Sequence, residues 1–225
     1  LIGGQFKWDD PFLIDDLLTG DERMIRDTAR AYAQERLLPR IRDWNRTESF
    51  DPVVMREMGE LGFLGAPLEG YGCAGIGYVA YGLVMRELER VDTAFRSACS
   101  VQTGLAMTPI YAYGSEAQKR FWLPKLASGE LLAAVALTEP DYGSDVANLK
   151  VTATRTDDGW RINGVKTWCT FAARANVLML LARTDWDVPK HAGLTFFLVR
   201  RDQPGVEIRP LRQMTGEATF NQVFF

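Results

Sequence analysis

Two stretches, LTEPDYGSD at residues 137 to 145 and INGVKTWCT at residues 162 to 170, carry residue types suited to holding a long polar ligand. In the first, an apolar strand-like run from Leu131 to Leu137 ends in Thr138, and a loop follows with Pro140, Gly143, Ser144 and Asp145. A glycine that lets backbone approach closely, with the Ser144 hydroxyl and neighbouring amides as donors, suits a pyrophosphate. Thr138, at the strand end, can reach the edge of a ring. In the second, Trp168 and Thr170 stand two apart in an expected strand from Val165 to Thr170, so their side chains face the same way. An indole beside a hydroxyl can stack on one part of a planar heterocycle and hydrogen-bond another. Taken alone, the indole reads better as a sheet tryptophan packed in the core. Taken with the loop, it describes the other end of one ligand.

Gly70, Gly72 and Gly75 form a GxGxxG, followed by a helical pattern and by Asp92 about twenty residues on, the spacing of a dinucleotide-binding turn. The context disagrees. The preceding run, Leu61 to Pro67, contains Gly62, Gly65 and Pro67 and follows a helix, and no second strand–helix–strand unit appears, so the glycines read as a helix-to-helix connection.

The elements that must position these groups fall into two regions. From Asp21 to Asn45 the chain is rich in helix formers, with Thr19 and Glu22 spaced as a capping box and Pro39 placed to bend or divide the helix. Asp51 then Pro52 reads as an N-cap with proline at the first helical position. Ile76 to Arg90 sets Ile76, Val79, Ala80, Leu83 and Val84 on one helical face, and Ser115 with Gln118 repeats the capping box. Past Glu130 the pattern changes to short segments rich in β-branched and aromatic residues: Val151 to Thr156, Trp160 to Ile162, Val165 to Thr170, Val177 to Arg183 and Leu194 to Arg200. Turn signals Asp158-Gly159, Asn163-Gly164 and Pro204-Gly205 separate them. Helices segregated before strands predict an α+β chain, with an all-helical domain over residues 1–130 and a β domain over residues 131–225. Thr219 to Phe225 reads as one more strand, which the chain leaves without a terminal cap, as a truncated chain would.

Composition narrows the partner. The 225 residues, 47% of them hydrophobic, suffice for a real core, and a net charge of −3 with interspersed signs offers no basic face for nucleic acid or an anionic membrane. A small-molecule ligand is expected. Cys73, Cys99 and Cys169 lie far apart and suit a reducing compartment, and the single histidine, His191, argues against a zinc site. No apolar run approaches the roughly 18 residues of a membrane span. The chain begins at Leu1 rather than Met, as after removal of a leader or tag.

LTEPDYGSD followed by INGVKTWCT resembles the flavin-binding signature of the acyl-CoA dehydrogenases, T-E-P-x-x-G-S-D and then N-G-x-K-x-W-I-T, in the right order and spacing. The resemblance covers essentially the whole chain. It implies FAD as cofactor, held by Val135, Leu137, Thr138, Gly143, Ser144, Trp168, Cys169 and Thr170, and a barrel-like form for the middle β domain. It also implies that the family's C-terminal four-helix domain, which carries the catalytic glutamate, is missing. No residue of this chain then inherits the role of base; Glu139 and Asp145 read as holding the loop's backbone.

Within the family, the first half is most similar to the glutaryl-CoA dehydrogenases, through FKWDDPF, RDTARAYAQERLLPRI, EMGELGFLGAPLEGYGCAG, VAYGLVMRELERVD, FRSACSVQ and PIYAYGSEAQ. By that resemblance Arg96 and Ser97 lie at the closed end of the acyl pocket, where Arg96 pairs with a distal carboxylate and Glu89 is nearby; Ser144 also meets substrate. A guanidinium fork matches a carboxylate and stays charged when desolvated. A lone arginine would instead read as a helix-surface residue paired with Glu89 or Asp92. The second half, WCTFAARANVLMLLARTD and HAGLTFFLVRRDQPGVEIRPLRQMTGEATFNQVFF, is more similar to other bacterial acyl-CoA dehydrogenases, with Cys169 where isoleucine is usual.

The implied reaction is α,β-dehydrogenation of an acyl-CoA thioester, with glutaryl-CoA decarboxylated to crotonyl-CoA. It needs a carboxylate base at one carbon and the flavin as hydride acceptor at the other. A monocarboxylic or branched acyl-CoA is the alternative substrate, and a non-catalytic flavin- or CoA-binding fragment the alternative class. The resemblance also implies electron-transfer flavoprotein as electron acceptor, a homotetramer, and the bacterial cytoplasm or the mitochondrial matrix as location. The 225 residues by themselves are expected to be catalytically silent.

Overall fold

In the computed structural model, which describes residues 6–8 and 10–225, the capping box at Thr19 closes in both directions. The Thr19 hydroxyl accepts from the Glu22 N–H at 3.2 Å, and the Glu22 carboxylate accepts from the Thr19 N–H at 2.8 Å. Helix α1, Gly20–Tyr32, starts there. Leu1, and Asp9 within FKWDDPF, lie outside the described residues.

Pro39 divides the helix through a wider turn: Ala33–Leu37 is a π-helix, and α2, Leu38–Arg46, resumes with Pro39 in its first turn. Proline has no N–H for the bond to the carbonyl four residues back, and its ring crowds that carbonyl; a π turn spreads the two apart. Asp51 bonds the Val53 N–H at 3.0 Å, but α3, Val53–Glu60, begins after Pro52 rather than on it. The glycines of the GxGxxG have φ of 73°, 82° and 69° and form the turns between α3 and α4, Tyr78–Glu89. They are a helix-to-helix connection. Helix α5, Thr93–Ser100, runs into a second π-helix, Val101–Met107, again just before a proline, Pro109, in the first turn of α6, Thr108–Tyr113. The Ser115 and Gln118 capping box starts α7, Glu116–Ala127. Leu37, Met58, Leu64, Leu88 and Phe95 lie in the core that these helices share.

Eight strands follow: β1 Ala133–Ala136, β2 Thr152–Thr156, β3 Gly159–Asn163, β4 Val165–Lys166, β5 Val177–Arg183, β6 Leu194–Arg200, β7 Glu207–Leu211 and β8 Phe220–Phe224. Strand β5 is the hub of a five-stranded sheet, parallel to β1, antiparallel to β6 and joined to β2 at Thr152 and Arg183. The second sheet has the order β4-β8-β7. The five-stranded sheet is mixed, the three-stranded one antiparallel, and both are open, not closed into the expected barrel-like form, although one core containing Val151, Cys169, Leu178, Leu180 and Val223 serves both. Strand β7 escaped the sequence reading because Pro210 interrupts it; a proline is tolerated there since β7 is an edge strand.

Every residue of β5 is buried. Leu178 and Leu180 face the sheet core, while Val177 and Met179 pack with Met107, Leu123 and Leu126 of the helical region. The period-2 alternation of one strand thus joins the two regions. Among the described residues, no helix is long and apolar enough to cross a membrane.

Candidate functional site

Strand β4 stops at Lys166, short of the expected Thr170, because Trp168 takes a left-handed backbone conformation with φ of 58°. The outward direction of Trp168 and Thr170 survives by another route: Thr167 and Cys169 are buried, whereas Trp168 and Thr170 are exposed. The Thr167 N–H donates to the Thr138 carbonyl at 2.8 Å, and the Cys169 N–H donates to the Asn221 carbonyl at 3.0 Å. Asn221 Nδ2 returns a bond to the Cys169 carbonyl at 3.0 Å. The segment is therefore sewn to the 137–145 loop on one side and to β8 on the other. The Trp168 ring meets Phe220 edge-on at 5.7 Å and remains 57% exposed. It is not a packed core tryptophan. The fold thus holds a large aromatic face in solvent on a backbone conformation that is unfavourable for a side chain of this size.

Glu139 is buried and accepts three bonds, from the Lys150 N–H at 2.6 Å, the Val151 N–H at 2.9 Å and Lys166 Nζ at 3.0 Å. It holds backbone, as its position suggested. Lys166, fully buried, also donates to the Leu137 carbonyl at 2.8 Å, and burial lowers its pKa against the pull of Glu139. Sequence reasoning missed this lysine, and its place inside INGVKTWCT was the available signal. Asp145 pairs with Lys190 at 2.9 Å and with Asn148, and these bonds hold its carboxyl below the usual range. Gly143 and Ser144 are exposed, and a Cβ added at Gly143 would meet nothing within 4 Å. Val135 lies half-buried in β1, and Leu137 is half-buried just beyond it. The Cys169 thiol turns into the sheet core, where burial pushes its pKa up to about 11.

A cavity of about 340 Å³ lies between the helical and sheet regions. Ser97, Ala98 and Val101 form one wall and Leu132, Ala133, Thr170 and Phe171 the other, with Phe50, Pro52, Met55 and Ala175 and with Arg174, whose Nη1 donates to the Phe50 carbonyl at 3.0 Å, also on the lining. Thr170 belongs both to the outward-facing segment and to this cavity. The amide of Gln102, at its edge, is fully engaged with the carbonyls of Leu126 and Leu131 and the N–H of Ala133. Among the described residues, no carboxylate lines the cavity, so their side chains can desolvate an apolar chain but supply no carboxylate base to it.

Arg96, next to Ser97, is turned away from the lining. Its Nε donates to Glu89 at 2.7 Å and its Nη1 to Ser100 Oγ at 3.4 Å, while Thr93 also donates to Glu89 at 2.8 Å. The Arg96 and Thr93 bonds hold the Glu89 carboxyl below its usual range. The structure thus brings Arg96, Glu89 and Ser97 to the start of α5, and Thr138, Trp168 and Thr170 to the joined segments. It leaves the Cys169 side chain inside.

Residues 19–130 match the family model described as acyl-CoA dehydrogenase, N-terminal domain, and residues 134–224 match acyl-CoA dehydrogenase, middle domain. The mitochondrial isovaleryl-CoA dehydrogenase of Pongo abelii is 36% identical over 200 residues, covering 85% of this chain and 47% of that protein. The glutaryl-CoA dehydrogenase of Desulfococcus multivorans is 35% identical over 207 residues, covering 90% and 53%. Among solved structures, a glutaryl-CoA dehydrogenase from Mycobacterium smegmatis in complex with FADH2 superposes with a TM-score of 0.86 at 40% identity, covering 95% of this chain and 54% of that one. The chain spans about half the length of these relatives. Both family models match in sequence order, helices first and sheets second, and the stretches 137–145 and 162–170, both within the second match, meet at Thr138 and Thr167: the chain belongs to the acyl-CoA dehydrogenase family.

Proposed function

We propose that this chain holds FAD and the acyl end of a CoA thioester in an acyl-CoA dehydrogenase acting on glutaryl-CoA, with decarboxylation to crotonyl-CoA. In this reading residues 1–130 form the helical domain, residues 131–225 the β domain, and the acyl chain lies between them. The observation that carries the proposal is the exposed Trp168 indole, locked in a left-handed conformation, with Thr170 two residues on at the mouth of an apolar cavity.

The residues present suit FAD. Trp168 and Thr170 offer a face and a hydroxyl to its ring system, and Thr138 offers a second hydroxyl. Ser144 and the open backbone at Gly143 offer donors to the pyrophosphate; of the loop's three carboxylates, Glu139 and Asp145 are already neutralised by Lys166 and Lys190, and Asp141 is exposed to solvent. Backbone at Val135, Leu137 and Cys169 would complete the cradle. Bound FAD supplies the acceptor for the hydride that leaves the β-carbon. Ser97, Ala98 and Val101 orient the acyl chain and exclude water from it. Arg96 anchors the distal carboxylate, with Glu89 keeping the guanidinium in place until substrate arrives. The base that removes the α-proton comes from outside the cavity lining seen here.

A monocarboxylic or branched acyl-CoA is the second reading. Two observations favour it: Arg96 is engaged by Glu89 away from the lining, and the isovaleryl-CoA relative is as similar as the glutaryl-CoA one. Electron-transfer flavoprotein as acceptor and a tetrameric assembly belong to the proposal, as does a reducing compartment, bacterial cytoplasm or mitochondrial matrix, that suits three unpaired cysteines. The test is to express the protein from its complete reading frame, identify the bound cofactor by mass spectrometry, and add acyl-CoAs anaerobically. Bleaching of the flavin absorption by glutaryl-CoA is expected; bleaching by isovaleryl-CoA alone would favour the second reading, and no bleaching by any acyl-CoA would refute both.

A further inference from the structure

The Lys166–Glu139 pair is a buried charge pair, with side chains 0% and 5% exposed, and it joins the two stretches, 137–145 and 162–170, that the proposal above assigns to FAD. Removing two charges from water is costly, and apolar residues of similar size often serve packing as well or better, so packing alone does not explain the pair. Its geometry does. Lys166 Nζ reaches the Leu137 carbonyl at 2.8 Å and Glu139 Oε1 at 3.0 Å, and Thr138 is the residue between these two contacts. The other bonds of Glu139 fasten the start of β2, and the Thr167 N–H bonds the Thr138 carbonyl at 2.8 Å. Thr138 is thus held from both flanks and through its own carbonyl.

On the far side of Trp168, Asn221 is 3% exposed and exchanges two bonds with Cys169, its carbonyl accepting from the Cys169 N–H and its amide donating to the Cys169 carbonyl, both at 3.0 Å. Trp168 therefore sits between two fastened residues, Thr167 and Cys169, at φ of 58°. A left-handed tryptophan persists only where its surroundings over-determine it. Releasing either fastening lets the backbone relax toward the extended conformation and re-aims the indole.

We infer that Lys166, Glu139 and Asn221 are positioning residues, which set Trp168 and Thr170 against Thr138 and thereby determine how tightly and in what environment the flavin is held. The inference rests on the FAD reading proposed above and deepens it. The experiment uses the protein from its complete reading frame, as parent, Glu139→Gln and Asn221→Ala, each stripped of flavin and titrated with FAD. Flavin fluorescence gives the affinity, circular dichroism reports folding, and the visible absorption bands are recorded at saturating FAD. Each variant is expected to fold, to bind FAD about tenfold or more weakly, and to show shifted flavin bands. If Glu139→Gln, which leaves a buried lysine unpaired, does not fold, Asn221→Ala decides alone. Affinities within about twofold of the parent, or bands unchanged at saturation, would make these residues merely structural and overturn the inference. A parent that takes up no FAD would instead sink the functional reading, and this inference with it.

Discussion

Replacing Arg96 by Gln separates the two substrate readings, because the guanidinium has Glu89 as its partner in the structure and the proposed function would give it a second one. Its present partner is Glu89, at 2.7 Å, with the two side chains 35% and 44% exposed. An ion pair so solvated adds little to stability, so the thermal midpoint of the complete protein should hold nearly constant. Its proposed second task is to meet a substrate carboxylate displaced from water. A charged hydrogen bond of that kind contributes about 1.5–3 kcal/mol net, which at about 1.36 kcal/mol per factor of ten is roughly tenfold to more than a hundredfold. Glu89 already neutralises much of the guanidinium's charge, which places the expected loss toward the lower end of that range. Butyryl-CoA carries no distal carboxylate and should be turned over at nearly the parent rate. The assay is kcat/KM for glutaryl-CoA and for butyryl-CoA by dye reduction, with the thermal midpoint as control. Equal losses on both substrates would refute the reasoning and leave Arg96 as a structural partner of Glu89.

Trp168→Ala in the complete protein should lower the ratio of visible to ultraviolet absorbance after purification while leaving the thermal midpoint nearly unchanged, since the ring is 57% exposed; an unaltered ratio would count against the placement. Leu178→Ala, at a fully buried position in the core shared by both sheets, should cost about 2–5 kcal/mol in urea unfolding. A loss well under about 1 kcal/mol would mean that this core can collapse around the gap. Burial raises the pKa of Glu57, but hydrogen bonds from Arg36, Arg40 and Tyr32 outweigh it and hold the group below its ordinary 4.5. A depressed folded-state pKa contributes stability that is present above the unfolded value and lost as pH falls through the folded one. The parent should therefore lose thermal stability below pH 4.5 more steeply than Glu57→Gln, and parallel curves would contradict the assignment.

What the sequence carried were features whose cause is local. The capping boxes at Thr19 and Ser115 formed as spaced, since the bonded groups lie three residues apart in any helix start. Strands β5 and β6 have the bounds that their β-branched runs suggest, and the glycines at 70, 72 and 75 make the turns that their context requires. The α+β order was equally legible, because helical and alternating periodicities occupy separate stretches. The two signature stretches were visible by residue type and spacing alone.

Tertiary structure decided the rest, through contacts between residues distant in sequence. Nothing near Trp168 dictates a left-handed backbone; Thr138 and Asn221 impose it, the latter across 52 residues. Lys166 is buried because Glu139, 27 residues earlier, is there to receive it, and a lysine's local preference is for solvent. Ser97 lines the cavity while Arg96 beside it turns to Glu89, because successive helical residues point about a quarter-turn apart and the sheet covers only one of those directions. Whether the sheets close was likewise undetermined by alternation: it gives each strand an inner face, but which strands pair, and so where a sheet ends, depends on every other strand in the fold.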